Sequence, residues 1–221
     1  MSIQENLQTI LSQIPENVQL VAVSKTKPNE DILEAYNAGQ RIFGENKIQE
    51  MADKYDALPK DIEWHMIGHV QTNKVKYMAP FVSLIHGVDS FKLLNEINKQ
   101  AQKNNRVVNC LLQIKIAEED SKFGLSVEDA KALLESHELK TLNHIKITGL
   151  MGMATFTDDE EQLSSEFNKL QSAFNLFKNM NNSNIQMTVL SMGMSGDFKI
   201  AIDRGSNMIR VGSSIFGERI Y

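Results

Sequence analysis

The chain is poor in the features that would tie it to a membrane, a nucleic acid or an oxidising compartment. It has a single cysteine, Cys110, so no internal disulfide can form. Within "NCLLQIKI" that residue reads as part of a core. No apolar run approaches the roughly 20 residues that cross a bilayer. The amino-terminal "MSIQENLQTILSQIPEN" has amphipathic helical spacing, without the basic start and unbroken apolar stretch of a signal peptide. No lysine- and arginine-rich block with interleaved aromatics appears, and 23 basic against 28 acidic residues leave a net charge of −5. Nucleic acid is therefore a poor partner. Nor does a proline-, glycine- or serine-rich linker or a change of composition divide the chain. Residues 1–221 are expected to form one soluble, cytoplasmic domain.

What is present is alternation. Short apolar runs at residues 19–25, 41–45, 62–68, 83–88, 109–117, 146–154, 187–192 and 208–212 read as strands. Between them lie helical patterns such as "NEDILEAYNAG", "SFKLLNEINKQAQKNN", "SVEDAKALLESHEL" and "EEQLSSEFNKLQSAFNLFKNM". Several begin on Asn, Ser or Asp, which cap helix starts, and "YNAGQ" supplies a glycine at a helix end. Strands that are apolar throughout and joined by helices make a parallel sheet. Eight such units fit a closed (β/α)8 TIM barrel at the small end of its range; a doubly wound open sheet is the alternative from pattern alone. The residues after the last strand, ending with Gly217 to Tyr221, are too few for a full eighth helix. The helix near residues 3–14 is then an extra element, expected on the barrel's N-terminal side.

A barrel gives the motifs an address, because its active sites lie at the C-terminal ends of the strands. Lys25 in "VAVSKTKP" ends the first strand, although a buried charge is costly unless paired or used. A lysine at the barrel mouth can become a neutral amine that attacks an aldehyde; otherwise it snorkels to solvent or pairs with a carboxylate such as Glu45. "SMGMSGD" (191–197) and "RVGSSIFG" (210–217) follow the seventh and eighth strands, where this fold tends to bind phosphate. They supply Ser195, Gly196, Gly212, Ser213 and Ser214 as an anion cradle, or simply as tight turns with capping serines. A lysine facing an anion cradle suits a phosphorylated aldehyde: pyridoxal 5′-phosphate (PLP), or a sugar phosphate. Arg210, inside the apolar "MIRVG", needs a partner, be it a carboxylate, the phosphate or a ring nitrogen. Asn46 and Asn73, in loops after the second and third strands, reach a ligand or merely form turns. His65 and His69 are four apart on a strand, about 13 Å, too far to share a zinc ion bound at about 2.1 Å. The methionines 151, 153, 192 and 194 read as soft packing.

"VAVSKTKP", "FGENKIQE", "WHMIGHVQTNK", "GLMGMA", "LSMGMSGD" and "IRVGSSIFG" together resemble the motifs of the YggS/PROSC family of pyridoxal phosphate homeostasis proteins, in order and over nearly the whole chain. That family is similar to the N-terminal barrel of alanine racemase. The resemblance implies that Lys25 carries PLP as a Schiff base. It implies that Ser195, Gly196, Gly212 and Ser213 hold the phosphate, that Arg210 faces the pyridine nitrogen, and that Asn46 and His65 lie near the cofactor. Three places depart from the family pattern: His69 with Val70, Phe123 in "DSKFG", and Ser213, where threonine is frequent.

The function expected on this resemblance is a non-catalytic PLP carrier in vitamin B6 homeostasis, monomeric and serving PLP-dependent apoenzymes. The alternatives are a PLP-dependent amino-acid racemase or a Schiff-base aldolase acting on a sugar phosphate. Racemisation needs an acid/base on each face of the α-carbon, one of them usually from a second domain. No such domain is expected here.

Overall fold

The computed structural model describes residues 2–118, 123–180 and 183–217. Eight parallel strands close on one another in chain order. They are β1 (Gln19–Val23), β2 (Ile42–Glu45), β3 (Glu63–Met66), β4 (Leu84–Val88), β5 (Val108–Gln113), β6 (Ile145–Met151), β7 (Ile185–Ser191) and β8 (Met208–Val211). Each falls inside or within a few residues of an apolar run read from the sequence. The (β/α)8 barrel is the fold, and the open sheet is excluded by the pairing of β1 with β8.

Nine α-helices appear among the described residues, besides two short 3-10 turns: α1 (Ile3–Leu11), α2 (Asn29–Asn37), α3 (Ile48–Ala57), α4 (Val75–Met78), α5 (Phe91–Lys103), α6 (Val127–Glu135), α7 (Glu160–Phe177), α8 (Phe198–Asp203) and α9 (Ser213–Phe216). The capping expectation holds where a side chain can reach back. Ser90, Ser126 and Asp159 accept hydrogen bonds from the first turns of α5, α6 and α7. At the amino terminus Ser2 and Glu5 form a capping box. The sequence sets α1 on the barrel's N-terminal side; the structure instead lays it along the flank, against α2 and α9. There Asn6 donates from its side chain to the Ile215 carbonyl at 3.0 Å. The short α9 leaves that flank open, and Leu7 and Ile10 of α1 are buried in it. No helix among the described residues is long and apolar enough to cross a membrane.

Two apolar shells follow from the alternation of side chains along each strand. Outward residues such as Leu20, Ala22, Phe43 and Trp64 join the helices in one large cluster. Inward residues Val21, Leu84, Leu111, Met151 and Met208 fill the barrel. Between β6 and β7 the backbones approach so closely that a Cβ at Gly149 would stand 1.8 Å from the Val189 carbonyl oxygen. Counting by twos from the inner cluster leads to the site: Val21, Val23, Lys25 along β1, and Met208, Arg210, Gly212 along β8.

Candidate functional site

A cavity of about 890 Å3 opens at the C-terminal ends of the strands. Lys25, Asn46, Ser195, Gly196, Arg210, Gly212 and Ser213 all line it, which brings together seven of the eight residues singled out from sequence. Gly212 lets this wall close. A Cβ there would lie 3.2 Å from both the Cβ and the carbonyl oxygen of Val23, so a side chain at this position would push the ends of β8 and β1 apart by a few tenths of an ångström. The β7 and β8 loops are tied directly, Gly212 donating its N–H to Ser195 Oγ at 3.2 Å. At Gly196 no atom lies within 4 Å of where a Cβ would stand, and its backbone faces open space. Ser195, Gly196, Gly212, Ser213 and Ser214 thus line the cavity from two adjacent loops, residue types that can hold an anion.

Lys25 is half-buried at the cavity wall. The turn that follows it is held from behind by a buried cluster of charges. Lys54 of α3 donates from Nζ to Glu45 Oε1, to Glu50 Oε1 and to the Ser24 carbonyl, each at 2.8 Å. Ser24 Oγ donates to the same Glu45 oxygen at 2.6 Å. Burial raises the Glu45 pKa, and the Lys54 charge and hydrogen bonds hold that rise back. Glu50 in turn accepts the Thr26 N–H at 2.6 Å. Thr26 has φ of 66°, a left-handed conformation that a β-branched residue adopts only when its surroundings impose it. Glu45 is therefore the partner of Lys54, and the sequence alternative that pairs it with Lys25 falls away.

Arg210 is buried inside the barrel, yet its hydrogen bonds go to neutral atoms. Nη1 donates to Ser191 Oγ at 2.6 Å and Nη2 to the Gly152 carbonyl at 3.0 Å. Burial lowers its pKa to about 10, with the Asp197 charge acting in the opposite direction. It remains a cation at neutral pH, with the donors not used in these two bonds left to the cavity it lines.

His65 is the exception among the eight. It points into the barrel beneath the cavity and does not line it; its Nδ1 lies 3.1 Å from His86 Nε2. His69 diverges to the rim, where it stacks on Phe123 with ring centroids 4.3 Å apart and its Nδ1 lies 3.6 Å from Asp89 Oδ2. Two of the departures from the family pattern are thus one contact across the mouth. Residues 120–122 of "DSKFG" lie outside the described residues. Asn73 is exposed and does not reach the cavity; Met153 and Met194 do, while Met151 and Met192 pack in the core. Sequence reasoning missed Gln113, a buried polar residue that lines the cavity and donates to the Phe123 carbonyl at 2.9 Å. It also missed His86. Both stand as lone polar residues in apolar strands, and that was the available signal.

A family model described as alanine racemase, N-terminal domain, matches residues 1–220. The pyridoxal phosphate homeostasis protein of Aquifex aeolicus (strain VF5) is 41% identical over 204 residues, which cover 92% of this chain and 88% of that one. The chain belongs to the pyridoxal phosphate homeostasis family. A second member, from Vibrio alginolyticus, is 38% identical over 100% of this chain and 99% of its own. Among solved structures, PipY of Synechococcus elongatus PCC7942 without PLP superposes with a TM-score of 0.91 at 35% identity, covering 98% of this chain and 100% of that one. The same protein with PLP bound gives a TM-score of 0.87 at 34% identity, over the same shares of the two chains. An alanine racemase of Clostridium difficile 630 shares the fold, with a TM-score of 0.79 at 14% identity, covering 100% of this chain and 56% of that one.

Proposed function

We propose that this homeostasis-family chain binds PLP through Lys25 and acts as a non-catalytic cytoplasmic carrier that yields the cofactor to PLP-dependent apoenzymes. The observation that carries the reading is one wall of one cavity: Lys25, Arg210 and the two Gly-Ser loops face the same space. When bound, PLP supplies a reactive aldehyde; the chain supplies everything around it. Lys25 offers the amine that holds the aldehyde carbon. Ser195, Gly196 and Ser213 receive the phosphate with hydroxyl and backbone donors, and Gly212, whose N–H goes to Ser195 Oγ, lets the loops close around it. Arg210 turns a permanent donor toward the ring nitrogen. A guanidinium gives a hydrogen bond there and no proton, so the ring is left a weak electron sink. Asn46 lines the same wall beside these groups, while His65 acts from beneath.

The carrier reading draws on two further points. The curated relatives carry homeostasis names, not enzyme names. A weak electron sink also suits storage better than carbanion chemistry.

The test is a titration of the purified chain with PLP, followed in the visible. The wild type is expected to develop a saturable band that survives gel filtration, and Lys25→Ala to develop none. No racemisation of amino acids is expected from the loaded protein. A Lys25→Ala variant that retains the same band would overturn the assignment of the lysine, and amino-acid turnover would overturn the carrier.

A further inference from the structure

Behind Arg210 runs a buried chain of polar groups, of which the proposed site uses only His65, and that from beneath. Ser191, at the end of β7, accepts from Arg210 Nη1 at 2.6 Å and lies 3.1 Å from His86 Nδ1. His86 Nε2 lies 3.1 Å from His65 Nδ1. All four side chains are inside the barrel, none more than 4% exposed. Four polar groups stacked in a barrel interior are costly unless every bond in the chain is made.

Chemistry fixes only the Arg210 link; the other two follow the histidine tautomers, and one choice of them puts every proton of the chain in a bond. A guanidinium only donates, so Ser191 Oγ accepts from it. In that choice the single hydroxyl proton of Ser191 goes to its other neighbour, His86 Nδ1. A neutral His86 with an acceptor at Nδ1 carries its proton on Nε2 and donates to His65 Nδ1. The polarity runs one way, from the arginine down to His65. Burial is the main reason both imidazoles stay neutral: it lowers His65 to about 3 and His86 well below its ordinary value, where the His65 and Arg210 charges add to the effect. Charging His86 would put a second donor against Ser191 and strand the hydroxyl proton.

We infer that Ser191 and His86 are positioning residues for the ligand, orienting the Arg210 guanidinium so that its remaining donors meet the ring nitrogen without rearrangement. This rests on the reading that PLP occupies the cavity. His65 completes the chain as the final acceptor, which accounts for a polar residue near the site that does not line it.

Glutamine offers a sharp test, because its carbonyl can accept from Ser191 and its amide can donate to His65, the polarity of the neutral imidazole. Wild type, His86→Leu, His86→Gln and Ser191→Ala are titrated with PLP and the position of the visible band is recorded. At saturating PLP each is reduced with borohydride, and the label on the Lys25 peptide is measured. Losing an oriented hydrogen bond to a charged group is expected to weaken affinity about tenfold in His86→Leu and Ser191→Ala. Their bands shift, while the label stays on Lys25. His86→Gln is expected to keep the wild-type band and an affinity within about threefold. If His86→Leu fails to fold, Ser191→Ala against Ser191→Thr decides in its place, with threonine restoring affinity and band. Wild-type affinity and band in His86→Leu and Ser191→Ala would overturn the inference. So would a His86→Gln as impaired as His86→Leu. Absence of label on Lys25 in the wild type would bring down the PLP reading itself, a result distinct from any effect confined to the variants.

Discussion

Between pH 7 and pH 5 the protein is expected to lose about 4 kcal/mol of folding stability, from two histidines alone. His65 and His86 are neutral in the fold, His65 held down to about 3 and His86 well below its ordinary value, because burial disfavours the charged ring. In the unfolded chain each titrates near 6.5. Above that value neither state binds the proton, and stability is whole. As pH falls below it, the unfolded chain takes up two protons that the fold refuses. The loss then grows by about 1.4 kcal/mol per pH unit for each histidine. It continues until the folded chain can itself be protonated, for His65 at about pH 3. Urea denaturation at pH 7, 6 and 5 measures this directly. His86→Gln, with one titrating ring removed, is expected to lose about half as much. A stability flat across that range would mean that the two rings are hydrated in solution and that the buried chain does not exist as described.

Lys54→Met is expected to cost about 3–5 kcal/mol, the effect of breaking a buried ion pair by removing one partner. Glu45 is fully buried, and its second oxygen, Oε2, has no hydrogen-bond partner. Without Lys54 that carboxylate keeps only the Ser24 hydroxyl, with Glu50 as a like charge nearby. It must then take up a proton or draw in water, and either outcome loosens α3 from the β1 turn. The damage should extend to function, because Glu50 holds the strained Thr26 immediately after Lys25. Chemical denaturation at pH 7 gives the cost, and the double variant Lys54→Met with Glu45→Gln is expected to recover part of it. A cost below about 1 kcal/mol would place the cluster with exposed surface pairs and remove its claim to hold the turn.

The fold was legible because each level repeats the same message. Apolar runs with no polar alternation could only be strands covered on both faces, and eight of them between helices could only close or wind doubly. Lys25 and the loops after β7 and β8 were legible for a related reason: the barrel sends successive strand ends to one rim, so sequence order alone places them together. What was not legible depends on which neighbour a side chain meets. Glu45 stands near Lys25 in the fold but lies on the outward face of β2, where α3 brings Lys54 to it. His65 was placed near the cofactor by the family resemblance; the structure leaves it off the cavity wall, where it meets His86 of the next strand. The stacking of His69 on Phe123 joins loops 54 positions apart in sequence, with no local pattern to announce it. The placement of α1 depended on how short α9 is, which fixes an empty flank and not a periodicity.

The central claim is that the amine of Lys25 holds an aldehyde cofactor at this barrel mouth. It is tested most directly by reducing the PLP-loaded protein with borohydride and mapping the label by mass after proteolysis. The expected result is a single modified site at Lys25, one label per chain, abolished in Lys25→Ala. Labels scattered over surface lysines, or a protein left unlabelled at saturating PLP, would contradict it.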